Sequence, residues 1–286
     1  MKTLKSLITT GILAGSLTLY CQTEDSSASV TNSTVKLNGE KEENLVTLSE
    51  FKGRPKVYRE DSLSVYELFN SVGINTKELY QKENKGKIRI EENGIVYLDA
   101  SKIILDTLYS SIGSFKILKE LHLEDNEFEN LPKEIGNLKN LKVLYLDKNK
   151  LKDLPKEIGA LENLEELYLE GNKLKTLPKE IGNLKNLKAL YLDKNKLKTL
   201  PKEIGNLKNI EILYLDNNEL ENLPKEIGNL KNLKTLYLRN NKLNFLPREL
   251  KTLKNLEELS LWNNQLDQES KNLLEKLKQE GVDVIY

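Results

Sequence analysis

The chain has 286 residues, 31% of them charged and 6% aromatic, and its 44 basic and 44 acidic side chains cancel. That balance excludes a general attraction to nucleic acid, so any electrostatic partner has to be recognised through local segregation of charge. Cys21 and His122 are the sole residues of their types, which excludes an intrachain disulfide and a Cys/His metal cage.

The first element is a leader. Lys2 and Lys5 precede an apolar run from Leu7 to Tyr20, and the polar stretch Gln22–Ser27 comes directly after it. This three-part pattern predicts an export signal over residues 1–21, too short to span a bilayer as a mature helix. Cys21 closes the run, which resembles a bacterial lipoprotein signal whose cysteine receives lipid. Thr18 and Tyr20 stand where that pattern has leucine and a small residue, so simple cleavage after Ala28 is the competing expectation. A membrane is expected to be met only through a lipid anchor at Cys21. The expected destination is the outer membrane, the cell surface or the medium, with the periplasm as the alternative.

Residues 22–44 are polar and rich in Ser and Thr and read as a flexible tether. Residues 45–94 are expected to form an N-terminal capping region. Ser64-Val65-Tyr66-Glu67 resembles a capping box opening a helix with Leu63, Tyr66, Phe69 and Val72 on one side. Lys87 to Leu98 reads as a hairpin turning at Asn93-Gly94.

Residues 95–266 are a repeat. Asn126, Asn149, Asn172, Asn195, Asn218, Asn241 and Asn264 recur at one step, 149 − 126 = 23. Around each sits one frame, exemplified by Leu141, Leu144, Leu146, Asn149, Leu151, Leu154, Pro155, Ile158, Gly159 and Leu161. This is the pattern of leucine-rich repeats. Leu144 and Leu146 alternate with Tyr145, predicting a short strand with leucines inward and tyrosine outward. Asn149 is expected to bond backbone groups of its own and the next coil. Pro155 opens a short helical turn in which Gly159 suits a left-handed conformation. The first unit, Ile95 to Ile117, is degenerate and has Ile103 where the asparagine belongs. Residues 267–286 close the stack with a helix carrying Leu273, Leu274 and Leu277, a stop at Gly281 and a strand from Val282. The fold class is thus an α/β solenoid, a curved horseshoe with a parallel concave sheet and short convex turns.

The unit Leu-Pro-Lys-Glu-Ile-Gly-Asn-Leu-Lys-Asn-Leu, at Leu131 to Leu141 and again at Leu177 to Leu187, resembles the leptospiral leucine-rich-repeat proteins. The resemblance covers about Ile95 to Tyr286 and implies an exported or surface protein that binds host molecules.

Stacked in register, the strands present columns. One reads His122, Tyr145, Tyr168, Tyr191, Tyr214, Tyr237, Ser260, and its neighbour reads Glu124, Asp147, Glu170, Asp193, Asp216, Arg239, Trp262. Tyrosine, arginine and tryptophan are favoured anchors between proteins, so these residues are the candidate ligand-binding surface. Tyrosine also favours strands and supports itself across a ladder, and Trp262 has the alternative of packing on the terminal cap. The other flank (Glu120, Val143, Glu166, Ala189, Ile212, Thr235, Glu258) varies freely against a constant frame. Lys150, Lys152, Lys173, Lys175, Lys196 and Lys198 line one edge, either as a solvated face or as a grip on a sulfated glycan.

No catalytic triad, phosphate loop or metal cage can be assembled, and the carboxylates fall on repeated positions expected to be exposed and unshifted. The expectation is a binding module without cofactor or metal, holding a protein partner on its concave face. A glycan ligand and a periplasmic scaffold are the alternatives.

Overall fold

Each unit forms one coil because no unit can bury its own leucines, whereas stacked units bury them in a common core. The computed structural model describes residues 94–102 and 104–286, together with the strand segments 10–13, 16–19, 46–47 and 87–91. Cys21, the cleavage site at Ala28, the tether, the helix expected at Ser64, the turn residue Asn93 and Ile103 lie outside the described residues. Strands β1 (Thr10–Leu13) and β2 (Ser16–Leu19) pair antiparallel as a sheet of their own.

The main sheet begins antiparallel, with β3 (Val46–Thr47) on β4 (Lys87–Glu91) and β4 on β5 (Gly94–Asp99), the expected hairpin. From β5 onward nine strands run parallel. After β5 come β6 (Glu120–His122), β7 (Val143–Tyr145), β8 (Glu166–Tyr168) and β9 (Ala189–Tyr191). Then come β10 (Ile212–Tyr214), β11 (Thr235–Tyr237), β12 (Glu258–Ser260) and β13 (Asp283–Ile285). The central residues pair in line, Leu98 with Leu121 and so on to Leu259 with Val284, and all face the core. Every leucine so buried contributes about 1.5–3 kcal/mol.

The asparagine ladder ties coil to coil. Asn195 Oδ1 accepts from Leu174 N–H at 3.0 Å, and its Nδ2 donates to the carbonyls of Leu169 at 2.9 Å and Leu192 at 3.0 Å. Leu174 and Leu169 belong to the preceding coil, not the next one as the sequence suggested, because the side chain points back along the stack. The same bonds recur from Asn126 to Asn264. An outer ladder that the sequence did not announce runs along the turns. Asn140, Asn163 and their counterparts each donate to a carbonyl of the coil before, as Asn163 Nδ2 does to Lys139 at 2.8 Å.

The convex turns are 3₁₀, one per coil, as in Lys156–Ala160 after the extended Pro155. Ile158 N–H donates to the Pro155 carbonyl and Leu161 N–H to that of Ile158, the three-residue spacing of this helix. Gly159 is not left-handed there; the left-handed glycines among the described residues are Gly171 and Gly281. Its need is space, since a β-carbon at Gly159 would run into the Glu180 carbonyl of the next turn along the stack. The left-handed position of each coil is instead the residue before the ladder asparagine, such as Lys148, Gly171, Lys194 and Asn217. Helix α1 (Gln268–Gln279), capped by the Asp267 carboxylate accepting from Ser270 N–H at 2.8 Å, buries Leu274 and Leu277 and closes the core. Gly281 ends it at φ +97°, and β13 comes next.

Candidate functional site

Alternation within each three-residue strand sends the central leucine inward and its two neighbours onto the concave face. In-register pairing then lines like with like: His122 beside Tyr145, Tyr145 beside Tyr168, and on through Tyr191, Tyr214 and Tyr237 to Ser260 and Ile285. The rings stack. Centroids lie 4.4 Å apart between Tyr145 and Tyr168 and between Tyr168 and Tyr191, with planes 16° and 8° apart. His122 extends the pile onto Tyr145 at 4.2 Å. Sheet support and surface presentation are therefore both realised, for the rings are half-buried against one another and their outer edges face solvent.

The stack breaks once. Tyr191 and Tyr214 meet edge to face at 5.2 Å and 89°, after which Tyr214 and Tyr237 stack again. The flank differs there too. Tyr168 donates its hydroxyl to Glu166 at 2.6 Å and Tyr237 to Glu258 at 2.5 Å, whereas Tyr191 lies beside the apolar Ala189 and Ile212. The bond to Glu258, with burial, pushes the Tyr237 phenol up to about 12. Burial, with the bond to Glu166, also raises Tyr168, and burial raises Tyr145 and Tyr214.

The acidic column lies just beyond the strands, on backbone that continues the parallel ladder. Lys148 N–H donates to the Glu170 carbonyl and Gly171 N–H to that of Asp193. The expectation of exposed, unshifted carboxylates is overturned here. Asp216 is only 6% exposed, and neighbouring carboxylates crowd each other within the curve of the sheet. Burial pushes Asp193 up to about 6, helped by the charges of Asp216 and Glu170. Asp147 is raised by burial and by Glu124 and Glu170. Burial also pulls on Glu124, but its contacts with His122 and its own backbone N–H outweigh that and hold it below the ordinary value. Asp193 accepts from Asp216 N–H at 2.8 Å, and Asp216 in turn accepts from Arg239 N–H and Nε.

At the far end the surface changes. Trp262 is 57% exposed, so the cap does not cover it, and Ile285 on β13 is 55% exposed. Ile285 joins the ring column through the register of β13, a neighbour the repeat pattern did not announce. Ser260, in the column between Tyr237 and Ile285, is 4% exposed and its hydroxyl has no hydrogen-bond partner among the described residues. Along the lysine edge Lys150 pairs with Glu127 and Lys152 with Glu129, while Lys173, Lys175, Lys196 and Lys198 form no ion pair among the described residues. Among the described residues no three His, Cys, Asp or Glu side chains gather as metal ligands, and no helix is long and apolar enough to cross a membrane. Chemically the face offers aromatic rings, hydroxyls and carboxylates.

A family model described as a leucine-rich repeat region matches residues 98–195 and again 179–279. No curated protein matches the chain. Among solved structures, a plant peptide hormone receptor, RGFR1 in complex with RGF2, is 38% identical over 60% of this chain and 29% of that one, with a TM-score of 0.56. Internalin C2 from Listeria monocytogenes is 28% identical over 70% of this chain and 84% of its own, at a TM-score of 0.56. The Toll–Spatzle complex of Drosophila is 29% identical over 56% of this chain and 24% of that one, at 0.53. The chain spans less than a third of the receptor chains it resembles.

Proposed function

The chain belongs to the leucine-rich repeat family, and on that premise we propose that it is an exported binding module that holds a protein partner on its concave face. The observation that carries the reading is the aromatic column, a run of half-buried rings from His122 to Tyr237, stacked except for one edge-to-face contact between Tyr191 and Tyr214, whose edges remain open to a partner. Rings held by their neighbours lose little freedom on binding, which is the property of an interface hot spot. Similarity to a receptor complexed with RGF2 and to Toll complexed with Spatzle supports a protein ligand. The site comprises Tyr145, Tyr168, Tyr191, Tyr214 and Tyr237, the lane Asp147, Glu170, Asp193 and Asp216, and the end residues Arg239 and Trp262. The module binds and does not catalyse.

The leader and the leptospiral-type repeat unit lead us to place it at the bacterial surface as an adhesin-like protein, anchored by lipid on Cys21. A sulfated glycan is the second reading, favoured by the lysines at Lys173, Lys175, Lys196 and Lys198, and it belongs to that edge because the concave face is acidic. Photo-crosslinking residues at Val143 and Thr235 test the protein reading against a control at Lys179 on the convex turn. Crosslinks to a protein from the concave positions alone support it; crosslinks from Lys179 alone overturn it. Protease added to intact cells, with lysed cells as control, tests the placement, and protection until lysis moves the partner to the periplasm.

A further inference from the structure

The concave face has a charge as well as a shape. Glu120, Glu166 and Glu258 stand on one side of the ring column, and Glu124, Asp147, Glu170 and Asp193 on the other. Of the lysines beside the lane, Lys148 pairs with Asp125 at 3.6 Å, Lys194 with the lane's own Glu170 at 2.8 Å, and Lys102 acts on Glu124. Among the described residues Asp147 and Asp193 are in no ion pair, and their carboxyls are held above the ordinary value by burial and by neighbouring acids. Such a lane is under electrostatic load that an incoming cation relieves.

One coil already shows that relief. Where the lane ends, Arg239 sets its Nε 2.7 Å from the Asp216 carboxylate and its guanidinium 5.1 Å from the centre of the Tyr237 ring. The same juxtaposition, a carboxylate with the ring of the following coil, recurs at Asp193 with Tyr214, Glu170 with Tyr191 and Asp147 with Tyr168, where among the described residues no arginine of this chain is supplied.

Resting on the concave-face reading, we infer that the partner enters as an extended basic segment whose arginine or lysine side chains seat between the acidic lane and the tyrosine column. Each seat combines a carboxylate with an aromatic ring, the two groups that recognise a desolvated guanidinium. The ring stack gives the segment its length of contact and the lane gives it a sign. A sulfated chain is repelled from the same face.

Calorimetry with the full chain and three synthetic nonapeptides tests this, threonine alternating with arginine, with glutamine or with aspartate. The arginine peptide is expected to bind at least tenfold more tightly than the glutamine peptide, with affinity falling as salt rises. It is also expected to weaken at least tenfold on the triple change Asp147→Asn, Glu170→Gln, Asp193→Asn, which keeps side-chain size and the ring column. An arginine peptide that fails to bind, or binds the triple variant equally well, overturns the inference. Binding of the glutamine or aspartate peptide that is stronger, and abolished by alanine at Tyr168, Tyr191 and Tyr214, also overturns it while leaving the concave-face reading intact. If no peptide binds while crosslinks still form at Val143 and Thr235, the basic segment is again rejected and the protein-binding reading stands.

Discussion

Arg239 donates twice to the carboxylate of Asp216, from its backbone N–H at 2.6 Å and from Nε at 2.7 Å. The acid is buried and the arginine half-exposed, so the pair closes the acidic lane at its C-terminal end. Arg239→Met keeps an apolar stem against Tyr237 but removes the Nε donor. The expected cost is about 1–3 kcal/mol in urea unfolding, since a buried carboxylate loses its charged partner. Arg239→Lys is expected to restore only part of this, because an ammonium lacks the planar fork. An unchanged midpoint in the methionine variant would refute the assignment.

Asn195 serves three buried backbone groups with one amide. Asn195→Ala strands the Leu174 N–H and two carbonyls, with an expected loss on the order of 1–3 kcal/mol. Asn209→Ala, which removes one exposed bond of the outer ladder to the Lys185 carbonyl, is expected to cost at most about 1 kcal/mol. Equal losses at the two positions would show that burial does not set the value of the ladder.

Gly136 packs against the next turn, where a β-carbon would stand 2.5 Å from the Glu157 carbonyl oxygen and 2.9 Å from its Cβ. Both obstacles are fixed to backbone and cannot swing aside. Gly136→Ala is therefore expected to lower stability by about 1–3 kcal/mol or more, through separation of adjacent coils. Hydrogen exchange is expected to show the loosening at Lys156–Ala160; protection there equal to that of the parent would contradict it.

Asp193 carries a pH signature. Its carboxyl is held up to about 6 in the folded chain against an ordinary 3.8. The folded state thus holds the proton more tightly than the unfolded one. The stability this contributes is full below the ordinary value and is lost as pH rises through about 6. Asp193→Asn keeps an acceptor for Asp216 N–H and removes the charge. At neutral pH it is expected to raise stability on the order of 1–2 kcal/mol, a few degrees in Tm, with the advantage shrinking as pH falls through about 6 and gone below the ordinary value. A thermal melt series across pH in both proteins checks the sign, and a variant less stable at neutral pH would reverse it.

Much of this was legible in the sequence. The constant step of the asparagines set the coil length, and alternation within Val143-Leu144-Tyr145 put the tyrosines in one concave column. What escaped is what depends on the neighbouring coil. Gly159 looked like a left-handed residue, yet its neighbour Glu180 leaves no room for a side chain, and the left-handed position fell on lysines such as Lys148 and Lys194. Asp216 looked exposed because its own coil does not cover it; Arg239, one coil later, does. The break between Tyr191 and Tyr214 is a relation between two coils, which no single unit reveals. Ile285 entered the ring column only once β13 paired beside β12.

If the concave tyrosines are the surface that a partner touches, removing three of them has to remove binding. The direct test is binding to immobilised extracellular-matrix and serum proteins by the parent and by the Tyr168→Ala, Tyr191→Ala, Tyr214→Ala triple variant. Circular dichroism and a thermal melt provide the control for folding. Lost stacking is expected to cost the variant about 0.5–1.5 kcal/mol per ring pair, which the remaining coils absorb. The expected outcome is a folded triple variant that no longer binds the protein the parent holds. A folded triple variant with undiminished affinity for that protein would contradict the concave-face assignment.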